Sequence, residues 1–454
     1  MNVRNTLNRY MLCSFLLCLL GLSPVAASAW DRGTVAYGIQ LAELSPALAD
    51  SVSHLLPARR TGPRLGIRIS SKQAHRVGSA FLYVGVTDFD GRGVADYRLQ
   101  VNLPAAADTV VYLDAEELAS VPGFFDVRAL LFDSGREMGK LEFSFGYDVE
   151  HLDHDYAPPA DFDSFWSATL DSLATVPPDL EMALDSQQMS DQAEVYRISF
   201  TSLHGVRVHG WLTLPVGQEQ PVAGLALFPG YSSGKIRPAV DYSQQGYATI
   251  SIQVRGYGVD QENYPEDNRS YMTIGCERPE TYIYREIVCH CYRAVQLLGE
   301  RPEVDERRIG VVGGSQGGGL SLMVAGLNPK VAAVLASVPF LTDFGRSMPM
   351  TGNPFRNLWS YMEKNPGSRE TVMNTVRYFD TVSLAGRITA PAIISAGLFD
   401  RTCPAPSIYR MFLELGSAQK QVKIYPWLDH GEVGRPFMPV ARQWLARNLP
   451  PVLN

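Results

Sequence analysis

The first third of the chain alternates apolar and polar residues with the period of two that is typical of half-buried β-strands. Residues 82–87 alternate in this way and end near the turn pair Asp90-Gly91. Two more runs of the same kind cover residues 125–131 and 141–145, and a glycine-containing turn separates them. Short alternating runs between tight turns predict a small antiparallel β-sandwich, immunoglobulin-like in type, at residues 30–150.

The rest of the chain changes to apolar strands that alternate with helices. A polar, proline-containing linker at residues 151–160 is followed by an amphipathic helix that opens at residue 161. The predicted strands are residues 195–200, 208–214, 224–228, 248–254, 309–312, 331–337, 392–396 and 421–425. The predicted helices are residues 283–298, 315–325, 406–415 and 436–448. This alternation predicts an α/β domain at residues 161–454, with a mostly parallel sheet covered on both faces.

The N-terminal segment has the pattern of a secretory signal peptide, residues 1–29. Arg4 and Arg9 precede an apolar run at residues 11–22, and Ala27-Ser28-Ala29 fits a cleavage site. The apolar run is short for a membrane span. We therefore predict a secreted or periplasmic protein that is not held in a membrane once the signal is removed.

Composition and charge narrow the range of partners. The chain of 454 residues is 46% hydrophobic and 19% charged, which is typical of globular domains. Its formal net charge is −7. Because an acidic surface repels phosphates, we predict neither nucleic acid nor an anionic membrane surface as a partner.

Four of the six cysteines lie beyond the predicted signal: Cys276, Cys289, Cys291 and Cys403. They are too few for a disulfide framework, and a single disulfide among them is left open. Cys289-His290-Cys291 lies in a predicted helix, where side chains two positions apart point in different directions. No metal site is therefore predicted there.

A glycine-rich motif supplies the candidate nucleophile. Gly313 and Gly317 flank Ser315 at minus two and plus two, between a predicted strand and a predicted helix. A serine at such a sharp turn needs small neighbours, and the first N–H groups of the helix point towards its hydroxyl. The hydroxyl becomes a good nucleophile only beside a base, and a histidine base must be oriented by a carboxylate.

The base and the acid are expected downstream of Ser315, because α/β-hydrolases carry serine, acid and histidine in that order. His430 is the one histidine that follows Ser315, and it lies after the last predicted strand. Asp400 follows the preceding strand and is the candidate acid. Asp343 is the second candidate, whereas Asp429 is badly placed because it directly precedes His430.

Acyl transfer also requires N–H donors for the oxyanion. The backbone N–H of Gln316 is one candidate, because this residue follows the nucleophile. The second is expected from the loop after the strand at residues 224–228. Pro229 has no N–H, so Tyr231 is the better candidate; the alternative role for Tyr231 is that of a pocket wall only. No cofactor and no metal is needed for this chemistry.

Five segments of the second domain carry a family resemblance. They are Asp161-Phe162-Asp163-Ser164-Phe165-Trp166, Gly230-Tyr231, Arg255-Gly256, Gly313-Gly314-Ser315-Gln316-Gly317-Gly318 and Gly397-Leu398-Phe399-Asp400-Arg401-Thr402-Cys403-Pro404. Through them the chain resembles the acetylxylan esterase / cephalosporin C deacetylase family of α/β-hydrolases. The resemblance implies hydrolysis of acetyl esters on sugars or on cephalosporin C, without a cofactor, in a homo-oligomer.

The chain departs from that family's pattern at two places near the site. The family has Arg-Gly-Gln where this chain has Arg255-Gly256-Tyr257, and His-Glu where it has His430-Gly431-Glu432. The leading β domain is a third difference, since it is not part of the basic family unit.

Three functions are therefore weighed. The main hypothesis is a deacetylase that acts on an acetylated oligosaccharide or another small acetyl ester. A serine peptidase of the prolyl oligopeptidase type shares the glycine-rich motif, but the leading domain is too short for its propeller. A non-catalytic binding protein on a hydrolase scaffold is the third, and the intact set of Ser315, Asp400 and His430 argues against it.

Overall fold

The computed structural model describes residues 37–45, 54–57, 62–71, 77–103, 108–152, 156–231, 236–254 and 271–451. The predicted signal peptide and the segment Arg255-Gly256-Tyr257 lie outside the described residues. The chain forms two compact units. The first contains the described residues up to 152 together with Gly397–Asp400 and Ile424–Asp429, and the second contains the remainder.

Two β-sheets make up most of the first unit. Their strands are β1 (Tyr37–Ser45), β2 (Leu55–Leu56), β3 (Arg64–Ser71), β4 (Val77–Asp88), β5 (Gly93–Leu103), β6 (Asp108–Asp114), β7 (Gly123–Asp133) and β8 (Arg136–Tyr147). One sheet has the order β1-β3-β6, and the other has the order β2-β8-β7-β4-β5. Neighbouring strands are antiparallel except β2 and β8, which run parallel.

One apolar core joins the two sheets of the first unit. Ile67 from β3 and Val84 from β4 are buried in the same cluster, because alternate side chains of each strand point to one face. Trp427 also packs against this core, with its ring centroid 5.3 Å from that of the buried His54 and 6.3 Å from that of Phe143. The prediction of an all-β region before the α/β domain is confirmed.

A nine-stranded sheet follows. Its strands are β9 (Glu181–Leu184), β10 (Ala193–Thr201), β11 (Arg207–Pro215), β12 (Val222–Phe228), β13 (Ala248–Ile252), β14 (Val304–Gly314), β15 (Val331–Ser337), β16 (Ala392–Gly397) and β17 (Lys420–Tyr425). Their order is β17-β16-β15-β14-β12-β13-β11-β10-β9. Strands β13, β12, β14, β15 and β16 pair in parallel, and β11, β10 and β9 extend the sheet antiparallel. The mostly parallel sheet is confirmed, whereas β9 was not predicted.

The helices of the second unit are α1 (Phe162–Ala174), α2 (Val240–Ser243), α3 (Ile283–Gly299), α4 (Gln316–Leu327), α5 (Phe344–Met350), α6 (Phe355–Lys364), α7 (Arg369–Val376), α8 (Thr381–Ala385), α9 (Ala405–Glu414) and α10 (Gly434–Asn448). Helix α4 is buried along almost its whole length, as its largely apolar sequence leads one to expect. Helices α5 to α8 form an insert between β15 and β16. Within the described residues, no helix has the length and apolar character needed to cross a membrane.

The sequence left open whether one disulfide forms among four cysteines, and all four lie in the described, buried part of the chain. No disulfide joins any two of Cys276, Cys289, Cys291 and Cys403. Burial raises the pKa of the Cys291 thiol well above its usual range and that of Cys289 to about 12. Both therefore act as small apolar side chains of α3.

Candidate active site

Ser315 lies in a sharp turn between β14 and α4. Its backbone angles are φ 54° and ψ −121°, a conformation that is costly for any residue with a side chain. Two hydrogen bonds hold it there: the N–H of Ser315 donates to Ser337 O at 2.8 Å, and its carbonyl accepts from the N–H of Phe340 at 2.9 Å. The end of β15 and the residues after it therefore fix the turn.

The two glycines of the motif are explained by close backbone contacts. A Cβ atom on Gly317 would lie 2.0 Å from the carbonyl oxygen of Phe228, at the end of β12. A Cβ atom on Gly313 would lie 2.2 Å from the carbonyl carbon of Gly317. Only hydrogen fits at either position, so the start of α4 lies directly against the ends of two strands.

His430 is brought next to Ser315. The two atoms Nε2 of His430 and Oγ of Ser315 are 3.0 Å apart, which is hydrogen-bonding distance. His430 lies between β17 and α10 and is half-buried. The structure therefore joins the candidate nucleophile to the candidate base.

The three candidate acids differ in their surroundings. Asp400 is fully buried after β16. The carboxylate of Asp343 instead lies 3.4 Å from Nη1 of Arg410 and 3.5 Å from Nε of Arg346.

Asp429 is exposed. A carboxylate already engaged by two arginines, or one open to water, is less suited than Asp400 to orient an imidazole.

The two candidate oxyanion donors are linked by a tyrosine. Gln316 is the first residue of α4 and is fully buried. Its side-chain oxygen Oε1 accepts hydrogen bonds from the hydroxyls of Tyr271 and Tyr284, each at 2.7 Å. The ring centroid of Tyr271 is 4.3 Å from that of Tyr231, which lies in the loop after β12. Neither Tyr271 nor Tyr284 was singled out from the sequence, because both are remote in the chain from the motif.

A second ionisable cluster lies in the insert. The carboxyl group of Asp380 is fully buried, and burial together with the nearby charge of Asp343 raises its pKa to about 7. Asp380 lines a cavity of about 270 Å³ with Tyr156 and Arg377 among its other walls. Ser315 and His430 are not among the residues that line this cavity.

Comparison with known proteins decides the family. A family model described as acetyl xylan esterase (AXE1) matches residues 149–447. The chain belongs to the acetyl xylan esterase family. Members of this family hydrolyse acetyl esters, so the protein is a carboxylic ester hydrolase.

Relatives of the acetyl xylan esterase family support the assignment. The chain is 29% identical to acetyl esterase Axe7A of Xylanibacter ruminicola over 321 residues. The aligned region covers 68% of this chain and 71% of that protein. An acetyl xylan esterase from Paenibacillus sp. R4 superimposes with a TM-score of 0.61 at 30% identity, over 66% of this chain and 97% of its own.

Acetyl xylan esterase 1 from Thermoanaerobacterium sp. JW/SL YS485 gives a TM-score of 0.59 at 29% identity, over 64% of this chain and 94% of its own. The predicted family resemblance and the α/β-hydrolase fold are thus confirmed. The region matched by the acetyl xylan esterase model includes all the candidate site residues and excludes most of the β-rich first unit.

Proposed function

We propose that this protein is a serine esterase that removes acetyl groups from acetylated carbohydrates, with acetylated xylan and xylo-oligosaccharides as the substrate class. The observation that carries the proposal is the 3.0 Å contact between Oγ of Ser315 and Nε2 of His430 at a strand-to-helix turn. Membership of the acetyl xylan esterase family supports the acetyl group as the acyl part. Cephalosporin C also carries an acetyl ester, so we include it among the proposed substrates.

The proposed reaction begins when Nε2 of His430 takes the proton from Ser315 as Oγ attacks the acetyl carbonyl carbon. The carbonyl oxygen becomes an oxyanion and accepts hydrogen bonds from the backbone N–H groups of Gln316 and Tyr231. His430 then gives its proton to the sugar oxygen, the C–O bond breaks, and an acetyl-serine remains.

Hydrolysis of the acetyl-serine repeats these steps with water as the nucleophile. His430 takes a proton from the water, the oxyanion forms in the same place, and the proton returns to Oγ of Ser315 as acetate leaves. The carboxylate of Asp400 is assigned to hold the imidazole in the correct tautomer and to stabilise the imidazolium. No cofactor takes part in this sequence.

The remaining features of the chain agree with a small ester as substrate. A formal net charge of −7 does not favour nucleic acid. The first unit contains sheets of three and five strands, which is a poor match to the propeller of a prolyl oligopeptidase. We also propose a secreted or periplasmic location and a homo-oligomer, on the strength of the N-terminal sequence and the family resemblance.

The test measures acetate released by the purified mature protein from acetylated xylo-oligosaccharides, cephalosporin C and p-nitrophenyl acetate. We expect turnover of the oligosaccharides, and a loss of roughly 10⁴-fold to 10⁶-fold in kcat for Ser315→Ala and His430→Ala. Ser321→Ala is the matched control, since this buried serine of α4 bonds only to the carbonyl of Gly317 in the described structure. Near-normal acetate release by Ser315→Ala would contradict the proposed mechanism.

A further inference from the structure

The side chain of Gln316 is held by hydrogen bonds from two tyrosines. A backbone N–H donates to the oxyanion, so the side chain of this residue has no part in the proposed chemistry. Yet its Oε1 atom accepts two hydrogen bonds of 2.7 Å, from Tyr271 and from Tyr284. All three side chains are buried.

The two tyrosine hydroxyls are the donors in this arrangement. The amide oxygen of glutamine is only an acceptor, so both tyrosine hydroxyls must donate to it. Complete burial raises the pKa of Tyr284 well above its usual range, which keeps that hydroxyl protonated at physiological pH. The two bonds satisfy a buried amide oxygen that would be costly to leave without a donor, whereas Nε2 of Gln316 is buried with no hydrogen-bond partner among the described residues.

Three separate segments of the second unit therefore meet at this point. Tyr284 lies in α3, Gln316 starts α4, and Tyr271 starts a short 3₁₀ turn at Tyr271–Thr273. Tyr271 makes a second contact, because its ring lies 4.3 Å from the ring of Tyr231, centroid to centroid. One side chain thus contacts both residues to which we assign the oxyanion donors.

We propose that Tyr271 and Tyr284 are positioning residues of the oxyanion hole. Their hydroxyls hold Gln316 so that its N–H faces the developing oxyanion. The Tyr271 ring packs against the Tyr231 ring and fixes the position of Tyr231 relative to Gln316. This inference rests on the proposed function. It matters for rate because an oxyanion donor acts only when it lies about 2.7–3.1 Å from the oxyanion. A displacement of about 1 Å in such a site lowers the rate by about 100-fold.

The experiment uses tyrosine-to-phenylalanine changes, which remove a hydroxyl and keep the ring. We expect Tyr271→Phe and Tyr284→Phe each to lower kcat by about 2-fold to 13-fold, the range of one neutral hydrogen bond. The double variant should lower kcat by about 4-fold to 170-fold, the product of the two single losses. KM should stay within about 2-fold of wild type, because the lost alignment concerns the transition state rather than the bound ester.

The chain offers a matched control in Tyr282. It belongs to the same tyrosine cluster, 5.4 Å from Tyr284 between ring centroids, and is fully buried. Its hydroxyl has no hydrogen-bond partner among the described residues. Tyr282→Phe should therefore leave kcat unchanged. An equal loss of kcat in Tyr282→Phe would attribute the effect to packing in general and overturn the proposal.

A second measurement does not depend on activity. Hydrogen–deuterium exchange of a peptide that spans residues 313–320 should be faster in the double variant than in wild type and in Tyr282→Phe. If the wild type hydrolyses no acetyl ester, the proposed function fails, and exchange still decides whether the two hydroxyls hold the turn. Unchanged exchange, or a wild-type kcat in the double variant, would overturn the positioning role.

Discussion

The Nε2 atom of His430 lies 3.0 Å from the Oγ atom of Ser315, although 115 positions separate the two residues in the chain. The turn after β14 presents the hydroxyl, and the segment before α10 presents the imidazole. Catalytic hydrogen bonds are often long in unliganded enzymes. In the proposed mechanism His430 is the base, and it is already at hydrogen-bonding distance from Ser315, so little rearrangement would precede proton transfer.

The identity of the acid can be tested by comparing two buried carboxylates. Asp400→Asn should lower kcat by about 10⁴-fold, because the amide favours the wrong imidazole tautomer. Asp343→Asn is the matched variant, since Asp343 is also buried but faces Arg410 and Arg346. We expect kcat of that variant to remain within about 10-fold of wild type. The reverse order of the two losses in kcat, with circular dichroism unchanged, would move the acid role to Asp343.

Two glycines on either side of Ser315 should differ sharply in their tolerance of substitution by alanine. Gly317→Ala places a Cβ atom 2.0 Å from Phe228 O, so the turn must deform, and we expect lower Tm and loss of most esterase activity. In Gly314→Ala the nearest atom, Cβ of Ser337, is 3.9 Å away, which is ordinary contact. Its Tm should be equal or higher, because alanine reduces the freedom of the unfolded chain. Equal damage by both changes would contradict the steric account.

Acyl length gives a prediction about the substrate pocket. The family resemblance implies a pocket closed around a methyl group, with Tyr231 as one wall. An accommodated methylene favours binding by about 0.8 kcal/mol. Forcing it into a filled site costs about 1–3 kcal/mol instead. In a series of p-nitrophenyl esters, kcat/KM should be highest for acetyl and fall steeply from butyryl onward. A maximum at octanoyl would indicate an open apolar channel of the lipase kind.

The raised pKa of Asp380 predicts a pH dependence of stability. The folded protein holds a proton on this carboxyl up to its raised pKa of about 7, whereas the unfolded chain releases it near the ordinary aspartate pKa of 3.8. Between these values the folded state binds the extra proton, so the free energy of unfolding falls as pH rises. Above about pH 7 this contribution is constant.

Asp380→Asn should remove that part of the slope. Urea unfolding of wild type and variant at pH 5 and pH 7 measures the difference directly. The carboxyl accepts backbone hydrogen bonds from Asp343, Phe344 and Val382, and the amide oxygen of asparagine can keep part of them. An identical loss of stability from pH 5 to pH 7 in both proteins would show that Asp380 is not the group responsible.

Much of the fold and of the candidate site could be predicted because the signals are local. Each strand predicted in the second domain overlaps an observed one, since buried parallel strands are short apolar runs between helices. Ser315 is marked by its glycines, and His430 is the one histidine after it. Strand β9 was missed because it is a four-residue edge strand with little burial, including a Leu184 that is 53% exposed.

Other parts of the site depend on contacts between distant segments. The hydroxyl of Tyr284 reaches Gln316 through the packing of α3 against α4, and that of Tyr271 reaches it from the separate turn at Tyr271–Thr273. No spacing in the sequence specifies either contact. The same holds for the neighbourhood of Asp380 and Asp343, whose carboxyls lie 37 positions apart in the chain. Aspartates are common in loops, so the residue type alone does not predict that these two carboxyls are buried next to each other.

The first unit is formed by segments that are far apart in the chain, and this affects when it can finish folding during synthesis. Ile424–Asp429 belongs to that unit, and Trp427 packs on His54 and Phe143. At about 5–20 residues per second, roughly 14 to 54 seconds separate the synthesis of residue 152 from that of residue 424. During that interval the β-rich part leaves the ribosome without the tryptophan that covers its core. N-terminal domains usually finish folding before the rest of the chain is made. Here the first unit is completed only after almost all of the second has been translated.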